Sequence, residues 1–223
     1  MLEWLLDQVF PPKCIVCDRR GLALCPLCRH HLPYLPLGVC GRCASRRRAR
    51  AGCQGCRRLS PALRWVRAPL SYSGPARRAV LTLKFRSGRY LAPIMGDLLR
   101  EALPRIEVDL VVPVPLSPRR LRTRGFNQAT LLAEQVTDSL HAILTPNVLT
   151  RRDRPPQSTL AAADRLANLT GVFACPRPGE VSGKRVLLVD DVVTTGATVS
   201  ACADTLAEAG ASRVWALAFA RDL

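Results

Sequence analysis

The segment 186–198, VLLVDDVVTTGAT, joins a run of apolar residues to two adjacent carboxylates and a short threonine-rich loop. A glycine in such a loop lets the backbone approach a ligand closely, and free N–H groups at the start of a following helix favour a phosphate. Threonine hydroxyls add hydrogen-bond donors without adding charge. The carboxylates of Asp190 and Asp191 can accept hydrogen bonds from ribose hydroxyls or hold Mg²⁺ through water. The segment therefore predicts a phosphate pocket beside a diol pocket, which together fit a ribose 5-phosphate.

The candidate ligand-binding residues of this segment are the two aspartates and the loop after them. They are Asp190, Asp191, Val192, Thr194, Thr195, Gly196, Ala197 and Thr198. The alternative interpretation is a simple strand, turn and helix, in which the threonines cap the helix and the aspartates are solvated. The chain has no G-x-x-x-x-G-K-[ST] pattern, which argues against a nucleoside triphosphatase.

Eight of the ten cysteines lie before residue 57 and form four C-x2-C pairs. These pairs are Cys14/Cys17, Cys25/Cys28, Cys40/Cys43 and Cys53/Cys56. Two pairs of this spacing complete a tetrahedral zinc site, so the sequence predicts one or two structural zinc ions. It leaves open whether neighbouring or alternate pairs share an ion. Disulfides are disfavoured without an export signal, and a single redox-active pair would not need four copies.

The chain is strongly basic. It has 33 lysines and arginines against 17 acidic residues, a net charge of +16, and 30 of the 33 are arginine. Residues 1–67 alone hold 13 basic and 3 acidic residues. Arginine forks suit phosphate groups, so a phosphate-rich partner is expected, although a codon bias alone would also favour arginine over lysine.

A dense basic cluster lies between the third and fourth cysteine pairs. It comprises Arg46, Arg47, Arg48 and Arg50. Two four-thiolate zinc ions would lower the net charge of residues 1–67 from +10 to about +6, so this region stays basic. The cluster is interpreted either as a contact for single-stranded DNA or as a solvated loop. Aromatic residues make up only 5% of the chain and none lies between residues 40 and 56, which argues against base stacking there.

Strand and helix signals alternate from Trp65 onward, and these elements have to position the candidate residues. Apolar runs predict strands at 66–72, 109–115, 185–190 and 213–220. Helical periodicity predicts helices at 76–85, 91–102, 127–141 and 197–210. Such alternation is typical of a mostly parallel, doubly wound α/β sheet that binds its ligand at the carboxyl ends of the strands. We therefore expect a Cys-rich zinc-binding domain at 1–60 and an α/β domain at 61–223.

The first residues, MLEWLLDQVF, include an acidic residue at position 3 and no small-residue cleavage site, unlike a secretory signal. The apolar runs of the chain are also far shorter than the roughly 18 residues of a membrane span. The expected location is therefore the cytoplasm, with no membrane insertion.

Three segments carry a resemblance to known proteins. The apolar strand followed by DD and VVTTGAT resembles the phosphoribosylpyrophosphate motif of type I phosphoribosyltransferases. VPVPLSPRRLRTRGFNQA at 112–129 and RRDRPPQSTLAAADRLANLTGVF at 151–173 resemble the ComF family, also called the competence-protein-F or GntX-type family, whose members similarly begin with C-x2-C pairs. The resemblance covers nearly the whole chain and is weak at 57–108, except for Leu83-Lys84-Phe85.

The resemblance implies a type I phosphoribosyltransferase-like fold and a site for phosphoribosylpyrophosphate with Mg²⁺. The further ligand-binding residues that it implies are Val114, Pro115, Arg122, Arg124 and Arg151. The turn at 112–115 would face the diphosphate with Arg122 and Arg124 near it, and Arg151 would belong with 157–165 to a mobile loop over the site. From the residues alone, the arginines at 119–124 are equally well a surface cluster without a ligand.

The implied chemistry is displacement of diphosphate from the anomeric carbon of ribose. Asp190 and Asp191 would be the catalytic residues because they can stabilise a cationic ribosyl centre, while Mg²⁺ neutralises the diphosphate. The sequence shows no recognisable acceptor pocket, so the alternative is a ligand-sensing or nucleic-acid-binding module without transferase turnover. The resemblance also implies a link with DNA uptake in natural competence, with single-stranded DNA and competence-machinery proteins as partners.

Overall fold

The computed structural model describes residues 11–46, 53–153 and 171–223. The helices in these ranges are α1 (Pro26–His30), α2 (Gln54–Arg57), α3 (Gly74–Leu83), α4 (Ala92–Ala102), α5 (Pro118–Arg124), α6 (Gln128–Leu140) and α7 (Ala197–Glu208). The strands are β1 (Leu63–Arg67), β2 (Leu70–Ser71), β3 (Leu110–Pro113), β4 (Ile143–Leu144), β5 (Thr150–Arg151), β6 (Phe173–Ala174), β7 (Arg185–Val193) and β8 (Arg213–Arg221). Among these helices, none combines the length and the apolar character that crossing a membrane requires.

Six of the strands form one sheet in which every pair is parallel. The order across it is β1-β8-β7-β3-β4, and β2 pairs with β8 beyond the end of β1. Nearly every residue of β7 and β8 is buried, because helices cover both faces of the sheet. This is the doubly wound α/β architecture that the sequence predicts.

Alternate residues of the central strands pack into two separate apolar layers. On one face, Leu187 and Val189 of β7 pack with α3, α4 and α6. On the other face, Val186 and Leu188 pack with α7. Successive side chains of a strand point to opposite faces, so the same alternation decides where the aspartates of β7 point.

The cysteine-rich part of the chain packs directly on the sheet. Residues 33–42 run along the edge formed by β1 and β2, where Val66 N donates to Arg42 O and Ser71 N donates to Pro33 O, both at 2.7 Å. The first four cysteines lie on the face of α3 and α4, and the second four lie on the face of α7. These contacts join the two parts closely, and a domain boundary at residue 60 stays a prediction.

The predicted strands differ from the observed ones mainly at their ends. The strand predicted at 66–72 is divided into β1 and β2, with Pro69, which has no N–H to donate, between them. The strand predicted at 185–190 continues to Val193. Both aspartates therefore lie inside β7, and their backbone is part of the sheet.

α5 is a short helix that contains the arginines at 119–124, and the sequence analysis did not predict a helix there. Ser117 caps its start by accepting from Arg120 N, and Pro118 occupies the first turn. It ends at Gly125, whose φ of 76° is in the left-handed region. Because none of its residues is buried, packing contributes little to this helix, and its bounds are set by the residues that cap it.

Candidate functional site

The threonine loop, residues 194–198, joins the carboxyl end of β7 to α7 and includes the first residues of that helix. Gly196 precedes α7 with φ 88°, in the region that favours glycine. A Cβ at Gly196 would lie 2.4 Å from Leu59 Cδ2, so Leu59 would have to move to make room for a side chain. The loop therefore depends on glycine both for its backbone conformation and for the close approach of Leu59.

The predicted phosphate-binding residues of the threonine loop line one small pocket. It is lined by Asp190, Val192, Val193, Thr194, Thr195, Gly196, Ala197, Thr198 and Val199. Ala197 N donates to Thr195 Oγ1 at 3.3 Å. The first turn of the 12-residue helix α7 lines the pocket, so backbone N–H groups and the positive end of the helix dipole favour an anion there.

Asp190 and Asp191 are buried near the end of β7, with exposed fractions of 9% and 6%. Asp190 Oδ1 accepts a hydrogen bond from Asp191 N at 2.8 Å, and Asp191 Oδ1 accepts from Val192 N at 2.9 Å. Burial raises the pKa of Asp190 well above its usual range, and the charge of Asp191 raises it further. A carboxylate desolvated in this way at a strand end is typical of a functional site.

Two cationic side chains approach Asp191 from the face of α3 and α6. Lys84 Nζ lies 3.3 Å from Asp191 Oδ2. Gln128 Nε2 donates to the same oxygen at 3.3 Å, and Gln128 Oε1 accepts a hydrogen bond from Arg124. Burial lowers the pKa of Arg124, an effect that the charge of Asp191 opposes. One cation therefore contacts Asp191 directly, and a second is linked to it through Gln128.

The turn after β3 holds Val114 and Pro115 beside β7. Val114 is buried, and its N–H donates to Val189 O at 2.9 Å. Asn127 Nδ2 donates to Val114 O at 3.0 Å, while Asn127 Oδ1 accepts from Ala129 N at 3.0 Å. Asn127 therefore caps α6 and also fixes the turn next to the aspartates.

A cleft of about 580 Å³ lies between α5 and the antiparallel pair of strands β5 and β6. We call it the arginine cleft, because its lining includes Arg119, Arg120, Arg124, Arg151 and Arg152. Arg151 also lies over the ring of Phe173, at 5.4 Å from its centroid. Arg122 is outside this lining, with 74% of its side chain exposed and its Nη2 3.8 Å from Asp153 Oδ2.

The eight cysteines of the C-x2-C pairs form two clusters. The first cluster is Cys14, Cys17, Cys25 and Cys28, and the second cluster is Cys40, Cys43, Cys53 and Cys56. In each cluster the sulfur atoms all lie within 4.8 Å of one another, so neighbouring pairs share a site. Sulfur distances of 3.2 Å for Cys43–Cys53 and 3.4 Å for Cys40–Cys56 exceed the roughly 2.05 Å of a disulfide.

The donor set of both clusters fits a structural zinc ion. Two thiolates on a tetrahedral zinc would be roughly 3.8 Å apart, close to the 3.9 Å between the sulfur atoms of Cys14 and Cys25. Burial raises the pKa of Cys14 and of Cys40, but backbone hydrogen bonds outweigh this effect and lower the pKa of each thiol to about 6. Other thiols of the same clusters shift in the opposite direction, since a hydrogen bond with Cys25 raises the pKa of Cys28 and burial raises that of Cys56. Within each cluster one thiol therefore ionises more readily than another, and the thiolate is the form that binds zinc.

Comparison with known proteins identifies the family. A family profile described as "Phosphoribosyl transferase domain" matches residues 122–222. The chain is 32% identical over 222 residues to "DNA utilization protein YhgH" of Escherichia coli strain K12, which covers 92% of this chain and 88% of that protein. It is 31% identical over 209 residues to "Competence protein F" of Haemophilus influenzae, with 87% and 90% covered. The chain belongs to the ComF family.

A third ComF relative, "Competence protein ComFC" of Bacillus subtilis, is 29% identical over 196 residues, which cover 84% of this chain and 79% of that protein. The profile match shows that the parallel sheet is a phosphoribosyltransferase-like domain. It includes β7, the threonine loop and α7, whereas the cysteine clusters lie in the chain before the matched region.

The structure brings most of the predicted ligand-binding residues of this ComF protein together at the carboxyl ends of the central strands. The aspartates, the threonine loop, the turn at Val114 and Pro115, and Arg124 all lie at the carboxyl ends of β3 and β7. Arg151 lies on β5 in the arginine cleft, and Arg122 lies outside both. Residues 157–165 and three arginines of the basic cluster, Arg47, Arg48 and Arg50, lie outside the described residues.

Sequence reasoning missed two polar residues of this ComF site, Lys84 and Gln128. Lys84 lies in Leu83-Lys84-Phe85, the one part of 57–108 that resembles the family, and this was the available signal. Gln128 is the first residue of α6 and lies within 112–129, another segment that resembles the family. In the structure both contact Asp191.

Proposed function

We propose that this ComF-family protein binds phosphoribosylpyrophosphate, or a closely related ribose phosphate, together with Mg²⁺. The observation that carries the proposal is the buried pair Asp190 and Asp191 in a central parallel strand, directly before a glycine-dependent loop. Ligands of open α/β sheets bind at this end of the strands, where backbone amides and side chains from several loops converge. Two buried carboxyl groups lie beside the N-terminus of α7, which favours an anion. This combination fits a ligand that carries both a diol and a phosphate.

Each part of the proposed ligand has a chemical counterpart in the site. The 5-phosphate would bind in the threonine loop, through the N–H groups at the start of α7 and the threonine hydroxyls. The ribose hydroxyls would donate to the carboxylates of Asp190 and Asp191. The diphosphate would be bound by Lys84, which contacts Asp191, and by Arg124, which is linked to Asp191 through Gln128.

Mg²⁺ fits this set of residues because it prefers oxygen ligands and often binds through water to one or two carboxylates. Asp190 and Asp191 would hold it in that way. When bound, the ion would neutralise part of the charge on the diphosphate. The cations Lys84 and Arg124 contribute to the same neutralisation from the protein side.

The reaction that the arrangement supports is displacement at the anomeric carbon, in which a nucleophile forms a bond as the bond to diphosphate breaks. The two carboxylates would stabilise positive charge on the ribosyl carbon, and Lys84 and Arg124 would stabilise the departing diphosphate. The competing proposal is a ligand-sensing module that keeps this fold without turnover. Release of diphosphate on incubation with candidate bases and amines separates the two.

The test of the binding proposal is calorimetric titration of phosphoribosylpyrophosphate with Mg²⁺ into the full chain. The double variant Asp190→Asn/Asp191→Asn should bind about a hundredfold more weakly or worse, because each hydrogen bond to a charged group contributes about ten- to a hundredfold. Asp138→Asn, the same change at an exposed position of α6, is the control and should bind like the wild type. Unchanged binding in the double variant, with a wild-type circular dichroism spectrum, would refute the proposal.

Contact with single-stranded DNA is a second candidate function, favoured by the arginine cleft. Among the described residues its lining holds five arginines and one carboxylate, Asp153. The relatives named for competence and DNA utilization support a link with DNA uptake. If phosphates bind in this cleft, the logarithm of affinity should fall linearly with the logarithm of salt concentration. Replacing Arg119, Arg120 and Arg152 by Gln should reduce that slope by about 2, since each phosphate contact contributes about 0.7. Arg213→Gln, at an exposed position at the start of β8 and outside the cleft lining, is the control, and equal slopes in all proteins would exclude the cleft.

A further inference from the structure

Arg221, the last residue of β8, is a buried guanidinium that joins the threonine loop to the second cysteine cluster. Only 3% of its surface is exposed. Its Nη1 donates to Val193 O at 2.9 Å and also to Thr194 O, where the chain leaves β7 for the loop. Its Nε donates to Cys43 O at 3.2 Å, and its Nη2 donates to Ser45 Oγ at 2.9 Å. One side chain therefore spans the distance between the loop and the cluster.

None of the ion pairs among the described residues includes Arg221. The charge of the Cys43 thiol acts on its guanidinium most strongly, followed by those of Asp222 and the Cys53 thiol. A buried cation requires a compensating charge or a full set of hydrogen bonds. Four thiolates around one divalent ion carry a net charge of −2. The second cluster, which Arg221 contacts through Cys43, would supply that charge, so the cluster and the guanidinium stabilise each other.

The segment that leaves the second cluster makes an independent set of contacts with the same part of the site. Leu59 is buried against Gly196, at 2.4 Å from the position of a Cβ. Ser60 N donates to Ser200 Oγ at 3.0 Å, and Ser60 Oγ donates to a carboxylate oxygen of Asp204. These contacts fix the first two turns of α7, so the cluster supports the threonine loop from two sides.

The first cluster lies on the opposite face of the sheet. Its neighbours are α3 and α4, where Arg29 pairs with Glu101 and Arg78 Nη1 lies 3.9 Å from Asp18 Oδ2. Arg221 contacts the second cluster, and Leu59 and Ser60 closely follow it in the sequence. None of the contacts given above for these three residues involves the first cluster. The two clusters thus have the same ligands and different surroundings, which makes the first a matched control for the second.

We propose that Arg221 is a positioning residue that couples the second cluster to the threonine loop, so that metal in this cluster maintains the loop in its ligand-binding conformation. Loss of metal from the second cluster releases Cys43 and Ser45, removes the counter-charge of Arg221 and loosens the carbonyls that Arg221 holds. The consequence for ribose-phosphate affinity rests on the proposed function, whereas the consequence for loop order does not. Coupling between two sites is reciprocal, so the ligand should in turn slow metal release from the second cluster.

The first experiment compares Cys53→Ser with Cys28→Ser by hydrogen–deuterium exchange of the full chain. Both cysteines are half-buried ligands, one in each cluster. Cys53→Ser should increase amide exchange at residues 193–198 about tenfold, the effect of one lost hydrogen bond to a charged group, and Cys28→Ser should leave it within about twofold. Equal effects of the two variants on the loop would overturn the proposal.

The second experiment asks whether Arg221 carries the coupling. In the Cys28→Ser background, zinc release to a chelator is followed with and without phosphoribosylpyrophosphate and Mg²⁺. The ligand should slow release about tenfold, and adding Arg221→Met should abolish that slowing. Slowing that persists in Arg221→Met would overturn the role of Arg221. If Arg221→Met does not fold, Ser45→Ala takes its place. Ser45→Ala removes one of the four hydrogen bonds of Arg221, so the ligand should slow zinc release less than it does without this substitution.

The two proposals can fail separately. Absence of binding by wild-type protein would refute the ribose-phosphate site, and the exchange experiment would still decide the coupling because it needs no ligand. Normal binding with a loop that does not respond to Cys53→Ser would refute the coupling and leave the ribose-phosphate site in place.

Discussion

Asp190→Asn and Asp191→Asn are expected to weaken ligand binding alike and to change thermal stability in opposite directions. Each substitution replaces a charged acceptor for a ribose hydroxyl by a neutral one. The loss of affinity for phosphoribosylpyrophosphate should therefore be about ten- to a hundredfold for each. Their effects on stability differ because, within the described part of the chain, Asp191 has a cationic partner within 4 Å and Asp190 has none.

For Asp191 the magnitude follows from its contact with Lys84. At 3.3 Å and an effective dielectric constant of about 20, the attraction between the two charges is about 5 kcal/mol. Desolvation of both ions and the 29% exposure of the lysine side chain offset most of it, which leaves a net of about 1–2 kcal/mol. For a chain of this size, Asp191→Asn should lower the melting temperature by roughly 2–8 °C.

For Asp190 the sign is reversed. Burial raises the pKa of Asp190, so the folded state holds its proton more strongly than the unfolded state does. This contribution to stability is fully present below the unfolded-state pKa and is lost as the pH rises toward the folded-state pKa. Neutral pH lies far above the unfolded-state pKa, so keeping this carboxyl group buried costs stability there, and Asp190→Asn should raise the melting temperature. Asparagine can still accept the hydrogen bond from Asp191 N.

The assay is differential scanning calorimetry of the wild type and both variants at about pH 7.5 and about pH 4.5. The gain in Asp190→Asn should shrink at the lower pH, where the wild-type carboxyl group is closer to its neutral form. Asp138→Asn controls for the loss of one negative charge at an exposed site. A melting temperature that falls in both aspartate variants would refute the assignment of a desolvated carboxylate to Asp190 and a paired one to Asp191.

Three further outcomes are expected. Purified protein should contain about two zinc ions, and metal analysis below one ion per chain would exclude the two-cluster assignment. Gly196→Ala should destabilise the fold by about 1–3 kcal/mol in urea unfolding and weaken ligand binding, because alanine is strained at φ 88° and its Cβ meets Leu59. Hydrogen bonds from Arg185 lower the pKa of Asp109 to about 2, so its contribution to stability should be lost as the pH falls from about 4 toward 2. Asp109→Asn should flatten that part of the urea-unfolding profile, and an unchanged profile would show that the pair contributes nothing.

The central part of the fold was predictable because its local signals agree. β7 is a continuous apolar run that only a strand covered on both faces explains, and the glycine and threonines after it mark a helix start. α6 and α4 show helical spacing of apolar residues, and those positions are buried. In these elements the burial pattern and the local backbone preferences indicate the same structure.

The elements that were missed have no apolar pattern of their own. α5 contains four arginines and buries none of its residues, so only its caps distinguish it from a loop. β4 is two residues long, and Ile143, one of them, is exposed. Its position is set by pairing with Leu110 of β3, a contact distant in sequence.

The candidate site was predictable in its carboxylates and its loop, and not in the surroundings that modify them. The pattern DD followed by TTGAT indicates ligand chemistry, but it does not show which face of the sheet each aspartate occupies. That depends on β7 continuing to Val193, which keeps both residues in the alternation of the strand. The contact of Asp191 with Lys84 joins β7 to the end of α3, and the hydrogen bonds of Arg221 join three distant segments, so no local pattern reports them.

Residues 33–42 also cover the edge of the sheet formed by β1 and β2. An edge strand presents unpaired backbone groups, and the edge strand of a second molecule can pair with them and start aggregation. Here the N–H groups of Val66 in β1 and Ser71 in β2 donate to the carbonyl oxygens of Arg42 and Pro33, so part of that backbone is already paired within the chain. A shortened protein made of residues 61–223 would expose these groups and should self-associate. The cysteine-rich segment would therefore limit self-association of the sheet, in addition to carrying the two cysteine clusters.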